Sequence, residues 1–218
     1  MSAKSLASFE RREAERADTR AKILEAAREM FAQQGYEATT MRAIADAIAY
    51  TPTALYHHFA NKQALVAELC EMDFDGLARH FTTGAQIADP LERIRQIGLL
   101  YLQFAVEYPN HYKFMFMTAL PDTVDYHKEN AGNPERDAYA LLVLSCRQAI
   151  DQERVRPEYQ DPDELAQILW AALHGLISLR MTKHEPWVPW RDLEHSARHA
   201  IDILTSGISR TAAATERR

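Results

Sequence analysis

"AIADAIAYTPTALYHHFANKQAL", residues 43–65, sets two short apolar-periodic runs on either side of a Thr-Pro step. Thr39 or Thr40 can N-cap the first helix, which carries Met41, Ile44, Ala45 and Ile48 on one side. A break at Ala49-Tyr50 leads to Thr51-Pro52, an N-cap residue followed by proline at the first helical position. The helix begun there runs only to about Phe59, and Asn61 caps a longer one. Two short helices joined by a tight turn make a helix-turn-helix, with Ile44, Ala45 and Ile48 facing Leu55 and Phe59. At about 100° per residue, turning Leu55 and Phe59 inward points Thr53 and His57 outward, with Tyr56 on one flank.

Those outward groups suit DNA. The Thr53 hydroxyl can serve bases or phosphates and its methyl can meet a thymine methyl. His57 can donate to a guanine or phosphate acceptor, and Tyr56 can reach a phosphate while its ring packs on the sugar. Helix N-termini at Thr40 and Thr51 aim amides at phosphates, and Lys62 adds charge nearby. Thr53, His57 and Tyr50 are the candidates for carrying sequence preference. A solvated surface helix can carry the same residues, so spacing alone leaves both readings open.

The rest of the chain reads as helix. Its 218 residues include 34 alanines and only 6 valines, a bias against strand. Residues 1–17 are charged and aperiodic, expected as a loose arm. A first helix starts near Asp18 or Thr19, carries Ile23, Ala27, Met30 and Phe31, and ends at Gly35 as a left-handed residue. Beyond the head, helices are expected at about 90–107, 109–119, 134–155, 162–183 and 191–208, with prolines near their boundaries. The expected fold is all-α: a three-helix head and a larger helical body, about nine helices. The domains expected are an arm (1–17), a helix-turn-helix DNA-binding domain (18–62), a ligand-binding and dimerisation domain (63–209) and a tail (210–218).

Charge is uneven. Residues 1–62 carry 9 Lys/Arg and 8 Asp/Glu, whereas the remaining 156 carry 16 and 23. A near-neutral front on an acidic body fits local contact with nucleic acid rather than general stickiness. No apolar run approaches the 18 or so residues of a membrane span, and no secretory signal is expected. Cys70 and Cys146, two lone thiols without CxxC spacing, suit a reducing cytoplasm.

Residues 19–65 resemble the DNA-binding head of the TetR (tetracycline-repressor-like) family. The resemblance rests on "IL-AA---F---GY--TT" running into "IA", then on "LYHHF-NK--L". It implies a homodimeric bacterial regulator at the nucleoid, usually a repressor of a palindromic operator, released by a small ligand. By the match, Thr40, Thr51, Tyr56, His57 and Lys62 fall where members commonly touch DNA. Two positions depart from the family pattern. Ala49 stands where the turn usually has glycine, and a non-glycine residue at positive φ costs about 1 kcal/mol. "TPTA" (51–54) replaces a frequent Ser-Lys-Gly-Thr opening and loses its lysine.

In the body, "YLQFAVEYPNHYKFMFM" (101–117) is dense in aromatics and methionine, as an adaptable apolar cavity or an ordinary core would be. "WAALHGLISLRMT" (170–182) resembles a TetR subgroup with a Trp…His-Gly signature, here Trp170, His174 and Gly175. The candidate contacts for a small, largely apolar effector are Tyr101, Phe104, Tyr112, Phe116, Trp170 and His174. The apolar stripe Leu193, Ala197, Ala200 and Leu204, together with Gly175, is the expected dimer seam, a four-helix arrangement. Dimerisation is also expected because two linked half-site readers bind far better than one.

A regulator of the same shape could answer to a protein partner or to its own abundance, without a small effector. His195 and His199, four apart, could hold a metal in a helical metalloenzyme. No HExxH, GxGxxG, Walker loop or GxSxG accompanies them. The expectation is therefore no enzyme, no cofactor and no metal.

Overall fold

A computed structural model describes residues 3–124, 130–183 and 186–210, and gives side-chain placement from Ser8 onward. Ten helices and no strands occur among the described residues. They are α1 (Ala3–Ala38), α2 (Met41–Ala47), α3 (Pro52–Tyr56), α4 (Lys62–His80), α5 (Thr82–Ala85), α6 (Pro90–Glu107), α7 (Pro109–Met117), α8 (Ala138–Asp151), α9 (Pro162–Thr182) and α10 (Leu193–Ile208). The fold is all-α, with the four-residue α5 added to the helices expected.

The chain divides into two compact units. The first comprises Met1–Asp73 with Asn110–His127, so it includes α1–α3, most of α4, and α7. It extends beyond the head boundary expected at residue 62. Its core is laid down by Ile23, Leu24, Ala27 and Phe31 from α1, Ile44 and Ala45 from α2, Leu55 and Phe59, and Leu65, Val66 and Leu69 from α4. Phe114 brings α7 into this core, its ring stacked 5.9 Å from that of Phe31.

α1 departs from expectation at its start. Helix continues through the segment expected as a loose arm, although the residues from Phe9 to Asp18 are exposed. Packed residues further along nucleate α1, and extending a nucleated helix is easy for a run of Ala, Glu and Arg. Arg11 and Glu15 pair at i,i+4, and Arg12 bonds back to Ser8. At the other end Gly35 has φ 81°, the positive value expected of it, and kinks the chain there.

The second unit comprises Phe74–Pro109 with Lys128–Arg218. Its helices begin alike: Asp89, Asp137, Asp161 and Asp192 each accept from a backbone N–H in the first turn of α6, α8, α9 and α10. Each such cap is worth about 1 kcal/mol, and Pro90 and Pro162 add a preset φ at the first helical position. α6 packs on α8, α9 and α10. At Gly98 a Cβ would stand 3.1 Å from Ile201 Cγ1, so glycine allows α6 and α10 to approach there. An isolated antiparallel bridge, Val155 to Ser209, ties the end of α10 to the segment after α8.

Candidate nucleic-acid interface

The turn between α2 and α3 is built from backbone groups. Tyr50 N–H donates to the Ala45 carbonyl at 2.9 Å, and Ala49 N–H to that of Asp46 at 3.2 Å. These are the 6→1 and 5→2 bonds of a Schellman motif, which requires its C′ residue in the left-handed region. That residue is Ala49, with φ 58°. The chain accepts the strain of a β-carbon there and re-aims itself into Thr51.

Thr40 and Thr51 both have extended backbone and cap α2 and α3, accepting from Ala43 N–H at 3.1 Å and Ala54 N–H at 3.3 Å. Each hydroxyl keeps its own proton, which can go to a phosphate. Leu55 and Phe59 are buried behind α3, whereas Thr53, Tyr56 and His57 are exposed. The exposed set thus lies on the side away from the core, as the helical phase requires. Tyr50 is less free: its hydroxyl lies 3.4 Å from Thr19 Oγ1, whose own proton goes to the Glu15 carbonyl. Tyr50 therefore acts as the donor and leans toward α1.

Two cations hold this surface in place. Arg20 grips the Glu68 carboxylate with two nitrogens, donates to the His58 carbonyl at 2.8 Å and lies over the Phe59 ring at 4.2 Å. One arginine thereby fixes the end of the reader segment to α1 and α4. Lys62 Nζ donates to the carbonyls of Tyr36 (2.8 Å) and Thr39 (3.0 Å) and stands over the Tyr36 ring. His58 is half-buried with Nδ1 shielded; burial, then Arg16, Arg20 and His57, hold its pKa below the ordinary imidazole value.

In the second unit, three of the residues named as effector contacts form a polar chain. Trp170 Nε1 donates to the Tyr101 hydroxyl at 3.1 Å, which lies 3.2 Å from His174 Nδ1. Burial lowers the His174 pKa, favouring a neutral ring. Phe104 is buried beside His80 and Tyr108. Tyr112 and Phe116 belong to the first unit, paired at 5.2 Å. An open polar groove of about 230 Å³ in the second unit is lined by Asp89, Leu91, Glu92, Arg95, Arg154, Thr205, Ser206 and Ser209, none of them named beforehand.

Comparison with known proteins decides the family. The model for bacterial regulatory proteins of the tetR family matches residues 23–69, and that for a tetracyclin repressor-like C-terminal domain matches residues 94–204. The chain belongs to the TetR family. The transcriptional repressor KstR2 of Mycobacterium tuberculosis is 43% identical over 91 residues, 41% of this chain and 44% of KstR2. That alignment spans less than half the length of the relative. By structure, KstR2 superposes with a TM-score of 0.65 at 24% identity, covering 88% of this chain and 96% of that one. A putative regulator from Saccharomonospora viridis, described in complex with choline, superposes at 0.67 with 22% identity, covering 89% and 100%. These likenesses place the chain among helix-turn-helix, DNA-binding transcriptional regulators.

The structure gives the surroundings of further residues named from the sequence of this TetR-family chain. Lys62, named as a phosphate contact, has its ammonium on the last carbonyls of α1, because those carbonyls lack helical partners. Ala197, named in the dimer seam, is 0% exposed and belongs to the core of its own chain. Gly175 has open space where a Cβ would stand, and Leu193, Ala200 and Leu204 are half-buried. The large apolar side chains left exposed on these helices are Ile168 (47%), Trp170 (39%) and Leu179 (49%) of α9 and Ile203 (71%) of α10, none of them in the stripe. Finally, His195 and His199 lie with ring centroids 4.3 Å apart, and among the described residues no group of three potential ligands surrounds a metal position.

Proposed function

We propose that this regulator is a homodimeric repressor that binds a palindromic operator and is released by a small, largely apolar effector. The observation that carries the reading is the outer face of α3. Thr53 and Tyr56 stand exposed on a helix of five residues, exposed His57 caps its end, and buried Leu55 and Phe59 anchor the segment. Thr53 and His57 address base edges in the major groove. Thr40, Thr51 and Tyr56 address phosphates, which set the register, and Tyr50 steers the turn between the two helices. Residues 18–62 are the DNA-binding part and residues 63–209 the ligand-binding and dimerisation part.

The outer faces of α9 and α10 supply the seam. Ile168, Leu179 and Ile203 are large apolar side chains in water, and Gly175 leaves room for a close partner helix. An isologous pairing of these faces covers them and sets two α3 helices on successive major grooves. Tyr101, Phe104, Trp170 and His174 of the second unit are the proposed effector contacts. A neutral His174 suits an uncharged ligand group, and the choline-bound S. viridis regulator is a fold neighbour that takes a small molecule. Effector binding tilts the two heads so that both cannot engage at once. As a regulator of transcription it works at the bacterial nucleoid, in the cytoplasm.

Sedimentation of the purified protein, alone and with a selected palindrome, tests the reading. The expected species is a dimer, one or more dimers per palindrome; a stable monomer at micromolar concentration contradicts it. A thermal-shift screen then tests release. A compound that stabilises the protein must also weaken operator binding, by linkage.

A further inference from the structure

The last turn of α9 carries a cation to which the described residues offer no counter-charge. Arg180 lies there with its guanidinium carbon 5.0 Å from the centre of the Trp190 ring. Arg180 Nε and Trp190 Nε1 are both shielded from solvent, and neither has an acceptor among the described residues. Both groups only donate. Shielded N–H groups without acceptors are uncommon in folded proteins, and each asks for a partner that the side chains do not supply.

Two such donors on side chains in contact, one of them charged, call for an acceptor group with one negative charge. A carboxylate meets that description. A dianionic phosphate would leave excess charge in half-buried surroundings, where uncompensated charge is costly. Trp187, three residues before Trp190 and 76% exposed, offers apolar surface for the hydrocarbon body of an acid. Arg180 follows His174 by six residues, which puts it roughly 120° round the axis of α9 from that ring. The two sites therefore face different ways. We propose that Arg180 and Trp190 bind the carboxylate of an amphipathic monocarboxylic acid, at a site separate from Tyr101 and His174 and independent of the operator reading.

Calorimetric titration of the full-length protein with sodium decanoate, decanol and decyl phosphate tests this. Decanoate is expected to bind at least about tenfold more tightly than decanol, the worth of one charge-assisted contact. Arg180→Gln and Trp190→Phe should each weaken decanoate by about tenfold and leave decanol unchanged. Trp190→Phe keeps the ring, so the test stands if Arg180→Gln folds poorly. Decanoate no tighter than decanol, decyl phosphate tighter than decanoate, or decanoate binding unmoved by Trp190→Phe would each overturn the proposal. In those cases the shielded donors are met by water.

Discussion

Asp73 accepts from Arg28 through a two-bond fork, Nε to Oδ2 and NH2 to Oδ1, each at 2.9 Å, with the side chains 5% and 2% exposed. The pair ties α1 to α4 inside the first unit, Glu25 takes another Arg28 nitrogen, and His111 of α7 stands 3.9 Å from the same Asp73 oxygen. Removing one partner leaves a buried charge without its buried counter-charge, and Glu25, 54% exposed, compensates Arg28 only in part. Arg28→Met or Asp73→Leu alone should therefore cost about 3–5 kcal/mol. The double variant Arg28→Met/Asp73→Leu should recover most of that, because both desolvation costs vanish. Urea unfolding checks it; single variants costing less than the double would contradict the account.

Ala49 is the residue whose backbone opposes its side chain. Ala49→Gly removes the β-carbon from a left-handed position and should stabilise by up to about 1 kcal/mol, less what glycine's freedom in the unfolded chain takes back. The melting temperature should rise by about 2–4 °C. A fall on thermal melting would show that the turn gains from its alanine.

Stability should decline below the ordinary imidazole pKa. His58, His111 and His174 all have their pKa values lowered by burial; Asp73 opposes and Arg28 reinforces this at His111. As pH falls through the unfolded value of 6.5, the unfolded chain takes up protons before the folded one. Their stabilising contribution is thus whole above that pH and is lost toward the folded values below it. Melting temperatures from pH 7.5 down to 5.5 should fall, and less so in His111→Gln. A rise would contradict the burial of these rings.

Lys62→Ala should act on the fold rather than on DNA recognition. Its ammonium serves carbonyls of Tyr36 and Thr39, and hydrogen bonds from charged groups are worth about 1.5–3 kcal/mol where shielded, less at this half-exposed position. The expected result is a lowered melting temperature, with the salt dependence of DNA binding unchanged. A salt slope reduced by about one would instead assign Lys62 a phosphate.

The sequence carried what is local. Thr51-Pro52, Asp89-Pro90 and Asp161-Pro162 announce helix starts because capping needs only neighbours, and the mismatch at Ala49 is visible for the same reason. The roles of Arg20, Arg28 and Lys62 were illegible, since their partners Glu68, Asp73 and the Tyr36 carbonyl lie 26 to 48 positions away. A hint existed for Arg20 and Arg28, which recur at the spacing of Ile23 and Phe31 and so share the buried side of α1. The seam was misplaced by phase. Ala197 packs on its own chain, while Ile203, six residues on and so roughly 120° round the axis, is exposed. Residues Phe9 to Asp18 of α1 gave no periodic signal because they lie exposed.

Thr53 and His57 are the proposed readers of bases. Binding-site selection from random duplexes, with the unaltered protein, Thr53→Ala and His57→Ala, measures this directly. The unaltered protein should enrich a two-fold symmetric site, and each variant should lose preference at specific symmetric positions, by about 1–3 kcal/mol per contact. An identical preferred site for all three proteins would contradict it, as would the absence of any enriched site at low salt.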